Sequence, residues 1–373
     1  MNQAGATLIV KRGDFPKLFR VLLTDGYQLI GPTLRDGTIL YDRIESVDDL
    51  PIGWTDRQGP GSYRLERRAD EALFGFVVGQ HSFKQQFFVP MVQLWRARRQ
   101  DGTFVVLTNQ TPRPRLALIG ARSCDLHGIA IQDRILMQGE HPDPDYSARR
   151  ADVFVVAIQC SQAGGTCFCA SMDTGPRATS GFDLALTELL DGEHRFVVEV
   201  ATNRGVDVMA RVPHQPATDE DCQRIDEVTA RTAKSMGRRL DTTGIRELLR
   251  DTLDHPRWNE VATRCLSCTN CTLVCPTCFC AEVEDTTDLT GEEAQRARRW
   301  DSCFTLGHSY VHGGSVRSSI KSRYRQWLTH KLGTWIDQFG MSGCVGCGRC
   351  ITWCPVGIDI TEEIAALRKD PRA

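Results

Sequence analysis

The sequence lacks the features of several common protein classes. No apolar run approaches the roughly 18 residues that a membrane-spanning helix needs, and residues 1–5 lead into no apolar stretch with a cleavage site. No G-x-G-x-x-G follows a strand-like run, no phosphate-binding loop is present, and no acid, base and nucleophile set stands out. We therefore expect a cytoplasmic protein that neither enters a membrane nor binds a dinucleotide, and that has no catalytic residues of its own.

An excess of basic charge is also missing. The formal net charge is -2, from 45 Lys and Arg against 47 Asp and Glu, so nucleic acid has no overall attraction for the chain. One stretch, residues 296–331, is locally basic and contains a single acid, Asp301. It is either a solvated helix face that also offsets nearby negative charge, or a docking surface for an acidic partner.

Cysteine, by contrast, is abundant, with 16 residues in the chain. Two copies of C-x2-C-x2-C-x3-C-P are present, the run that holds [4Fe-4S] clusters in bacterial ferredoxins. The first run consists of Cys265, Cys268, Cys271 and Cys275, and the second of Cys344, Cys347, Cys350 and Cys354. Because the fourth cysteine of such a run ligates the other cluster, we expect Cys354 to complete the first cluster and Cys275 the second. Zinc sites or disulfides are the alternatives, since both also use paired cysteines.

Further cysteines follow strand-like runs in the first half of the chain. Cys124 comes shortly after the apolar run at 115–119, Cys160 ends the run at 153–158, and Cys167 and Cys169 lie in the next loop. Neighbouring parallel strands bring such loops to one edge of a sheet, where sites on open α/β sheets are usually built. These four cysteines are therefore either the ligands of a third iron-sulfur cluster or buried structural thiols.

Three more cysteines accompany the first run. Cys278 and Cys280 follow it closely, and Cys303 ends the segment RWDSC at 299–303. Three thiols would need a partner residue or an exogenous ligand to hold a cluster. His308 and His312 are four residues apart, a spacing that can place metal ligands on one helix face, but no acidic ligand stands at a matching offset and packing is the simpler interpretation.

Residues 1–217 are expected to form an α/β sheet domain. The apolar runs at 114–120 and 152–159 are typical of buried central strands. Between them, residues 125–138 have a helical pattern that Asp125 could cap and Gly139 could end, which predicts a right-handed parallel crossover. We also expect a helix at about 183–190, a strand at 195–200, and strand-like pieces at 85–89 and 103–107.

From residue 218 the chain becomes polar and helical. Helices are expected at 219–236 and 242–253 within a linker at 218–257, followed at 258–373 by a helical C-terminal domain with an expanded bacterial-type dicluster ferredoxin module. The insertion between the cysteine runs has helix-forming residues at 315–332 and contains Trp300, Trp327 and Trp335. These tryptophans either pack the insertion over the clusters, excluding water, or form an ordinary helical core.

A set of motifs carries a resemblance to a known family. The motifs are GARSCDL at 120–126, Cys160 with CFC at 167–169, CPTCFC at 275–280, RWDSC at 299–303 and CVGCGRC at 344–350. Together they resemble the beta subunits of cytosolic sulfhydrogenases, which are NAD(P)-linked [NiFe] hydrogenases, and their relative, the A subunit of anaerobic sulfite reductase. The resemblance implies an iron-sulfur electron-transfer subunit. Its partners would be a flavin and [2Fe-2S] subunit that handles NAD(P)H and the small and large subunits of a [NiFe] hydrogenase.

The function expected from these observations is an electron relay through two [4Fe-4S] clusters, or three if the additional cysteines also ligate one. The alternatives are the equivalent subunit of an anaerobic sulfite reductase, an enzyme that reduces a small molecule in the α/β domain, and a zinc-stabilised scaffold. Arg349, inside the second run, is a candidate to tune its cluster, because a positive charge favours the reduced state. Solvation or contact with a partner would explain this arginine equally well.

Overall fold

The computed structural model describes residues 3–77, 79–107 and 113–370. The strands are, in chain order, β1 (Thr7–Lys11), β2 (Tyr27–Arg35), β3 (Thr38–Ile44), β4 (Trp54–Gly59), β5 (Ser62–Arg67), β6 (Met91–Gln100), β7 (Thr103–Leu107), β8 (Arg115–Ala121), β9 (Phe154–Ile158), β10 (Leu184–Leu189), β11 (Arg195–Val200), β12 (Gln215–Pro216), β13 (Ala281–Thr287), β14 (Glu293–Trp300), β15 (Tyr310–Val311) and β16 (Gly314–Ser315).

The helices are also numbered in chain order. They are α1 (Pro16–Thr24), α2 (Lys84–Phe87), α3 (Ser123–Leu136), α4 (Pro144–Arg150), α5 (Asn203–Met209), α6 (Asp219–Lys234), α7 (Ile245–Asp251), α8 (Arg257–Arg264), α9 (Asn270–Leu273), α10 (Ile320–Thr329), α11 (Trp335–Phe339), α12 (Arg349–Thr352) and α13 (Ile360–Lys369). A π-helical turn at His330–Thr334 joins α10 to α11.

A mixed sheet organises the first half of the chain. Its strand order is β12-β1-β11-β10-β9-β8-β2-β3, with β9 parallel to both β8 and β10 and with antiparallel strands toward its edges. Every residue of β9 is buried, as its continuous apolar sequence predicts. The predicted unit of β8, α3 and parallel β9 is therefore confirmed, and so are the strands at 195–200 and 103–107.

Three local predictions were wrong. Residues 184–189 form strand β10 rather than a helix, because the whole segment is buried inside the sheet and a continuous apolar run does not distinguish a buried strand from a helix. Residues 84–87 form the short helix α2 instead of a strand. Asp125 does not cap α3 from outside but lies in its first turn, where its carboxylate accepts a hydrogen bond from the Arg122 backbone N–H.

The insertion between the cysteine runs contributes a hairpin as well as the expected helix. Strands β13 and β14 extend β6 and β7 into a four-stranded sheet of order β13-β14-β6-β7, so the insertion pairs with a segment from the first half of the chain. A separate hydrophobic core, which includes Trp258, Trp327 and Ile351, lies among the C-terminal helices. Among the described residues, no helix has the length and apolar character to cross a membrane.

Candidate metal centre

The two cysteine runs adopt the same local backbone. Positive φ angles occur at matching positions of the two runs, namely Ser267 (51°) and Thr269 (69°), and Gly346 (63°) and Gly348 (75°). The N–H of Ser267 lies 3.4 Å from the Cys265 sulfur, and that of Gly346 lies 3.4 Å from the Cys344 sulfur. Each run is therefore a tight turn with backbone N–H groups near its sulfurs, an arrangement suited to an anionic cluster.

The cysteines of the first run surround a cavity with a cysteine of the second. Cys265, Cys268, Cys271 and Cys354 all line this cavity, together with Cys350. Burial raises the pKa of the Cys271 thiol well above its usual range, and the negative charges of Cys265 and Cys354 add to the rise. The structure thus brings Cys354 to the first run, as the spacing predicts.

The second group is formed in the same crossed manner. Burial raises the pKa of the Cys344 thiol to about 12, and the charges of Cys347 and Cys275 contribute in the same direction. Burial is also the main cause that raises the pKa of Cys350, with Cys344, Cys347 and Cys275 as the next contributors. Cys275 therefore lies with the second run. Cys350 is also within electrostatic range of Cys271, so the two groups are adjacent.

The donors around the first cavity fit an iron-sulfur cluster. Burial disfavours free thiolates at Cys265 and Cys271 by raising their pKa, and ligated iron supplies the positive charge that a buried thiolate needs. Tyr324 and Trp327 also line the cavity. The Tyr324 hydroxyl and the Trp327 indole N–H are buried and have no hydrogen-bond partner in the described part of the chain. Unpartnered buried donors are costly, and cluster sulfurs would accept from them.

Buried cations face the second group. The Lys331 ammonium donates to the Cys275 sulfur at 3.3 Å and to the Gly343 carbonyl at 3.0 Å. Burial opposes the charged form of Lys331, but the thiolates of Cys275 and Cys278 raise its pKa well above the usual value. A hydrogen bond from Cys278, against the opposing effect of burial, holds the pKa of Cys275 well below its usual range, and Lys331 acts in the same direction.

Arg349 is fully buried beside the second group rather than solvated. Its guanidinium pairs with Asp125 at 2.7 Å, and both side chains have no exposed surface. Asp125 also accepts from the Tyr41 hydroxyl at 2.9 Å. The Arg349 charge opposes the effect of burial on the pKa of Cys347. This arginine therefore joins the α/β sheet to the second cysteine run.

The additional cysteines of the first half also come together. Burial is the main cause that raises the pKa of Cys169, and the charges of Cys167 and Cys160 follow. Cys124 lies within electrostatic range of Cys169 and of Cys347. The four cysteines predicted from the strand ends are therefore neighbours, and they lie beside the second group.

The loop that carries these cysteines packs directly on the second run. The Phe168 N–H donates to the Gly346 carbonyl at 2.8 Å, and the Thr174 hydroxyl donates to the Val345 carbonyl at 2.7 Å. A Cβ atom at Gly346 would approach the Cys169 backbone N to 2.6 Å, and one at Gly348 would approach the Thr166 carbonyl O to 2.4 Å. Glycine at both positions is thus required by the packing as well as by positive φ.

Of the four remaining cysteines, Cys222 belongs to α6, and the other three lie close together within the insertion between the two runs. Cys280 is hydrogen-bonded to Cys303 and to His308, and the His308 Nδ1–H donates to the Asp301 carboxylate at 2.6 Å. His308 belongs to a short 3-10 turn, so it shares no helix face with His312. The acidic partner of His308 is Asp301. The sequence spacing did not reveal this pair, because the contact depends on how the chain turns between residues 301 and 308.

The basic stretch at 296–331 is largely used within the chain. Arg296, Arg298 and Arg299 form ion pairs with acids of the same chain. Arg323 and Lys331 are buried. This distribution favours internal charge compensation over a docking surface for an acidic partner.

The sequence did not point to Lys84, whose ammonium lies 3.1 Å from the Cys278 carbonyl, because no motif in the neighbouring sequence connects this lysine to the cysteines.

None of the 16 cysteines forms a disulfide bond. Among the described residues, no set of three or more His, Cys, Asp or Glu side chains has the geometry to hold a single metal ion. A family model for a 4Fe-4S dicluster domain matches residues 264–358. The sequence is 31% identical to the sulfhydrogenase 2 subunit beta of Pyrococcus furiosus over 362 aligned residues. The alignment covers 95% of this chain and 96% of that relative.

Proposed function

The chain belongs to the family of sulfhydrogenase beta subunits, and we propose that it relays electrons within a heteromeric hydrogenase complex. One observation carries the proposal above all. The folded chain groups Cys354 with the first cysteine run and Cys275 with the second, which is the crossed arrangement characteristic of two-cluster ferredoxins. Bound there, [4Fe-4S] clusters would supply single-electron oxidation and reduction.

The chain's own residues would hold and tune these clusters. Cys265, Cys268, Cys271 and Cys354 would hold the first, and Cys344, Cys347, Cys350 and Cys275 the second. Tyr324 and Trp327 would keep water from the first group. Lys331 and Arg349 place positive charge beside the second group, and this charge favours its reduced, more negative state.

We include a third cluster, held by Cys124, Cys160, Cys167 and Cys169. The proposal is supported by their mutual proximity and by the position of Cys347 near Cys124 and Cys169. In space, the second cluster would then lie between the first and the third. A continuous series of redox centres is what a relay between two partner subunits requires.

The proposed partners are a flavin and [2Fe-2S] subunit that handles NAD(P)H, and the small and large subunits of a [NiFe] hydrogenase. The name of the Pyrococcus relative, a sulfhydrogenase beta subunit, supports this choice. We propose that the complex works in the cytoplasm. Co-purification from the native source tests the assignment: a nickel-containing large subunit supports it, whereas a siroheme subunit would support the sulfite reductase alternative.

Metal analysis and EPR of anaerobically purified protein test the relay itself. Two clusters would give about eight irons per chain and three would give about twelve, if no other site holds iron. Cys354→Ser should remove the EPR signal of the first cluster, and Cys275→Ser should remove that of the second. Cys222→Ser is the matched control, because Cys222 lies in α6 and belongs to none of the proposed ligand sets. Stoichiometric zinc without iron would overturn the proposal, and so would a protein that shows no EPR signal after reduction with dithionite.

A further inference from the structure

A cavity beside the two proposed clusters has the features of a ligand site that the relay described above does not use. Its volume is about 400 Å³, which is ample room for a small ligand. Cys278, Cys280 and Cys303 line it, and so does His308. Three thiols and an imidazole thus share one space, although they come from separate segments of the chain.

The thiols are linked to each other and to the neighbouring groups. Cys280 is hydrogen-bonded to Cys303, and it lies within electrostatic range of Cys278. Cys278 in turn contacts Cys275 of the second group. Cys303 is within electrostatic range of Cys271 of the first group. The cavity therefore borders both proposed clusters.

The histidine is held in the manner of a metal ligand. The His308 Nδ1–H donates to Asp301 at 2.6 Å, which fixes the ring, and the other contact of the imidazole is with the Cys280 thiol. Metal-ligating histidines almost always donate their other ring N–H to a carboxylate or carbonyl in this way. The Asp301 carboxylate is itself held by the Thr305 hydroxyl at 2.6 Å, so the ring has a supported orientation.

The surrounding charge is positive. Lys331 and Arg317 line the cavity, and the Lys84 ammonium lies 3.1 Å from the Cys278 carbonyl and 4.1 Å from the ring centre of Trp300. Lys84 and Lys331 are both buried. Within residues 3–77, 79–107 and 113–370, neither forms an ion pair with a carboxylate. Burying cations is expensive unless negative charge compensates, and anionic clusters would provide it.

An unpartnered donor also lies at this cavity. Trp335 lines it, and the buried indole N–H of Trp335 has no hydrogen-bond partner among the described residues. A buried N–H without an acceptor costs about 1–3 kcal/mol, which sulfide or thiolate sulfur would offset. This donor is a second observation, separate from the thiols, that is consistent with an acceptor bound in the cavity.

From these observations we propose that Cys278, Cys280, Cys303 and His308 ligate a further iron-sulfur cluster, with three thiolates and one imidazole. The ligand set satisfies the four positions of such a cluster without an exogenous group. Replacement of thiolate by imidazole raises the potential of iron-sulfur clusters, so this centre would be a more readily reduced neighbour of the relay. The inference goes beyond the proposed function, because the relay of the first two clusters does not depend on it.

A metal-free alternative is a redox-active pair of thiols, in which Cys280 and Cys303 would interconvert between dithiol and disulfide. It predicts no additional iron. It also predicts that an alkylating reagent modifies these cysteines in the native protein, whereas ligated thiolates are protected. Mass spectrometry after iodoacetamide treatment under anaerobic conditions separates the two cases.

Iron and acid-labile sulfide in Cys303→Ser, compared with Cys222→Ser as the matched control, test the proposal. We expect a loss of about two or about four irons per chain with equal sulfide, for a [2Fe-2S] or a [4Fe-4S] centre. The EPR signals assigned with Cys354→Ser and Cys275→Ser should remain. Unchanged iron in both Cys303→Ser and Cys280→Ser, with both thiols alkylated in the unaltered protein, would overturn the inference while leaving the relay intact.

A second variant covers the case in which Cys303→Ser fails to fold. His308→Cys supplies a fourth thiolate, so it should keep its iron but shift one redox transition to lower potential. A redox titration identical to that of the unaltered protein would reject His308 as a ligand and overturn the proposal. If instead the unaltered protein lacks the signals of the first two clusters, the proposed function fails, and the two failures are thereby distinguished.

Discussion

The two cysteine runs have one spacing and one backbone conformation but opposite surroundings. In the first run, Leu266 is 61% exposed and Cys268 is exposed. In the second, Val345 is 2% exposed, and Cys344 and Cys347 are buried. Spacing therefore determines how each loop presents its sulfurs, whereas the packing around the loop determines its charge, water access and tolerance to substitution.

The residues with positive φ illustrate the difference. The first run uses Ser267 and Thr269, and the second uses Gly346 and Gly348. Left-handed backbone costs a residue with a Cβ roughly 1–2 kcal/mol, which the open first run tolerates. The second run has no room for a Cβ, because the loop with Cys167 and Cys169 lies against it.

The largest expected loss of stability follows from breaking the buried ion pair between Arg349 and Asp125. Arg349→Gln leaves the Asp125 carboxylate buried without its partner, and breaking such a pair costs about 3–5 kcal/mol. The free energy of unfolding of the anaerobic protein measures this loss. Arg250→Gln, which removes a surface pair with Asp251, is the control and should leave the free energy of unfolding nearly unchanged, because water screens an exposed pair.

The same Arg349→Gln variant tests the tuning role. Removal of a positive charge should lower the potential of the second cluster, because the reduced state carries more negative charge. If the folded variant gave an unchanged redox titration, Arg349 would stabilise the fold without influencing the potential of the second cluster.

Alanine at matching loop positions compares the packing of the runs directly. Gly348→Ala combines strain at positive φ with overpacking against Thr166, and should destabilise the protein by roughly 3 kcal/mol. The second-cluster EPR signal should be weakened. Thr269→Ala, at the corresponding position of the first run, should stay within about 0.5 kcal/mol. Equal effects of the two substitutions would mean that the packing around the two runs does not differ in the way described.

Removal of the buried ammonium should change the second cluster selectively. At a separation of about 6 Å and an effective dielectric constant of about 20, a unit charge contributes roughly 3 kcal/mol, on the order of 100 mV. Lys331→Gln should therefore lower the second-cluster potential by up to that amount, while Lys17→Gln, a surface control paired with Asp14, leaves it unchanged. A larger shift in the first cluster than in the second would contradict the placement of Lys331 beside Cys275.

The smallest effect concerns rates of iron loss. Because the loop of the first run is more exposed than that of the second, as Leu266 and Cys268 show, an iron chelator under mild oxidation should bleach the first-cluster signal several-fold faster than the second-cluster signal. Parallel EPR time courses provide the measurement. Loss of both signals at one rate would mean that global opening, rather than local exposure, controls access.

Much of the site followed from local patterns. The repeated cysteine spacing predicted two groups and their crossed fourth members, and the strand ends predicted that Cys124 and Cys169 meet. These ligand assignments remain predictions until metal is measured. The secondary structure was less readable where segments are buried on all sides, since β10 has no alternation that distinguishes a strand from a helix.

The sulfur-bearing loops follow from local sequence, because four cysteines within eleven residues are held together by a short segment of chain. What surrounds these loops depends on tertiary packing. Lys84 reaches Cys278 across 194 positions, and Arg349 pairs with Asp125 across 224. Electrostatic energy depends on distance in space rather than along the chain, and these distances exist only once the sheet and the C-terminal helices have packed together.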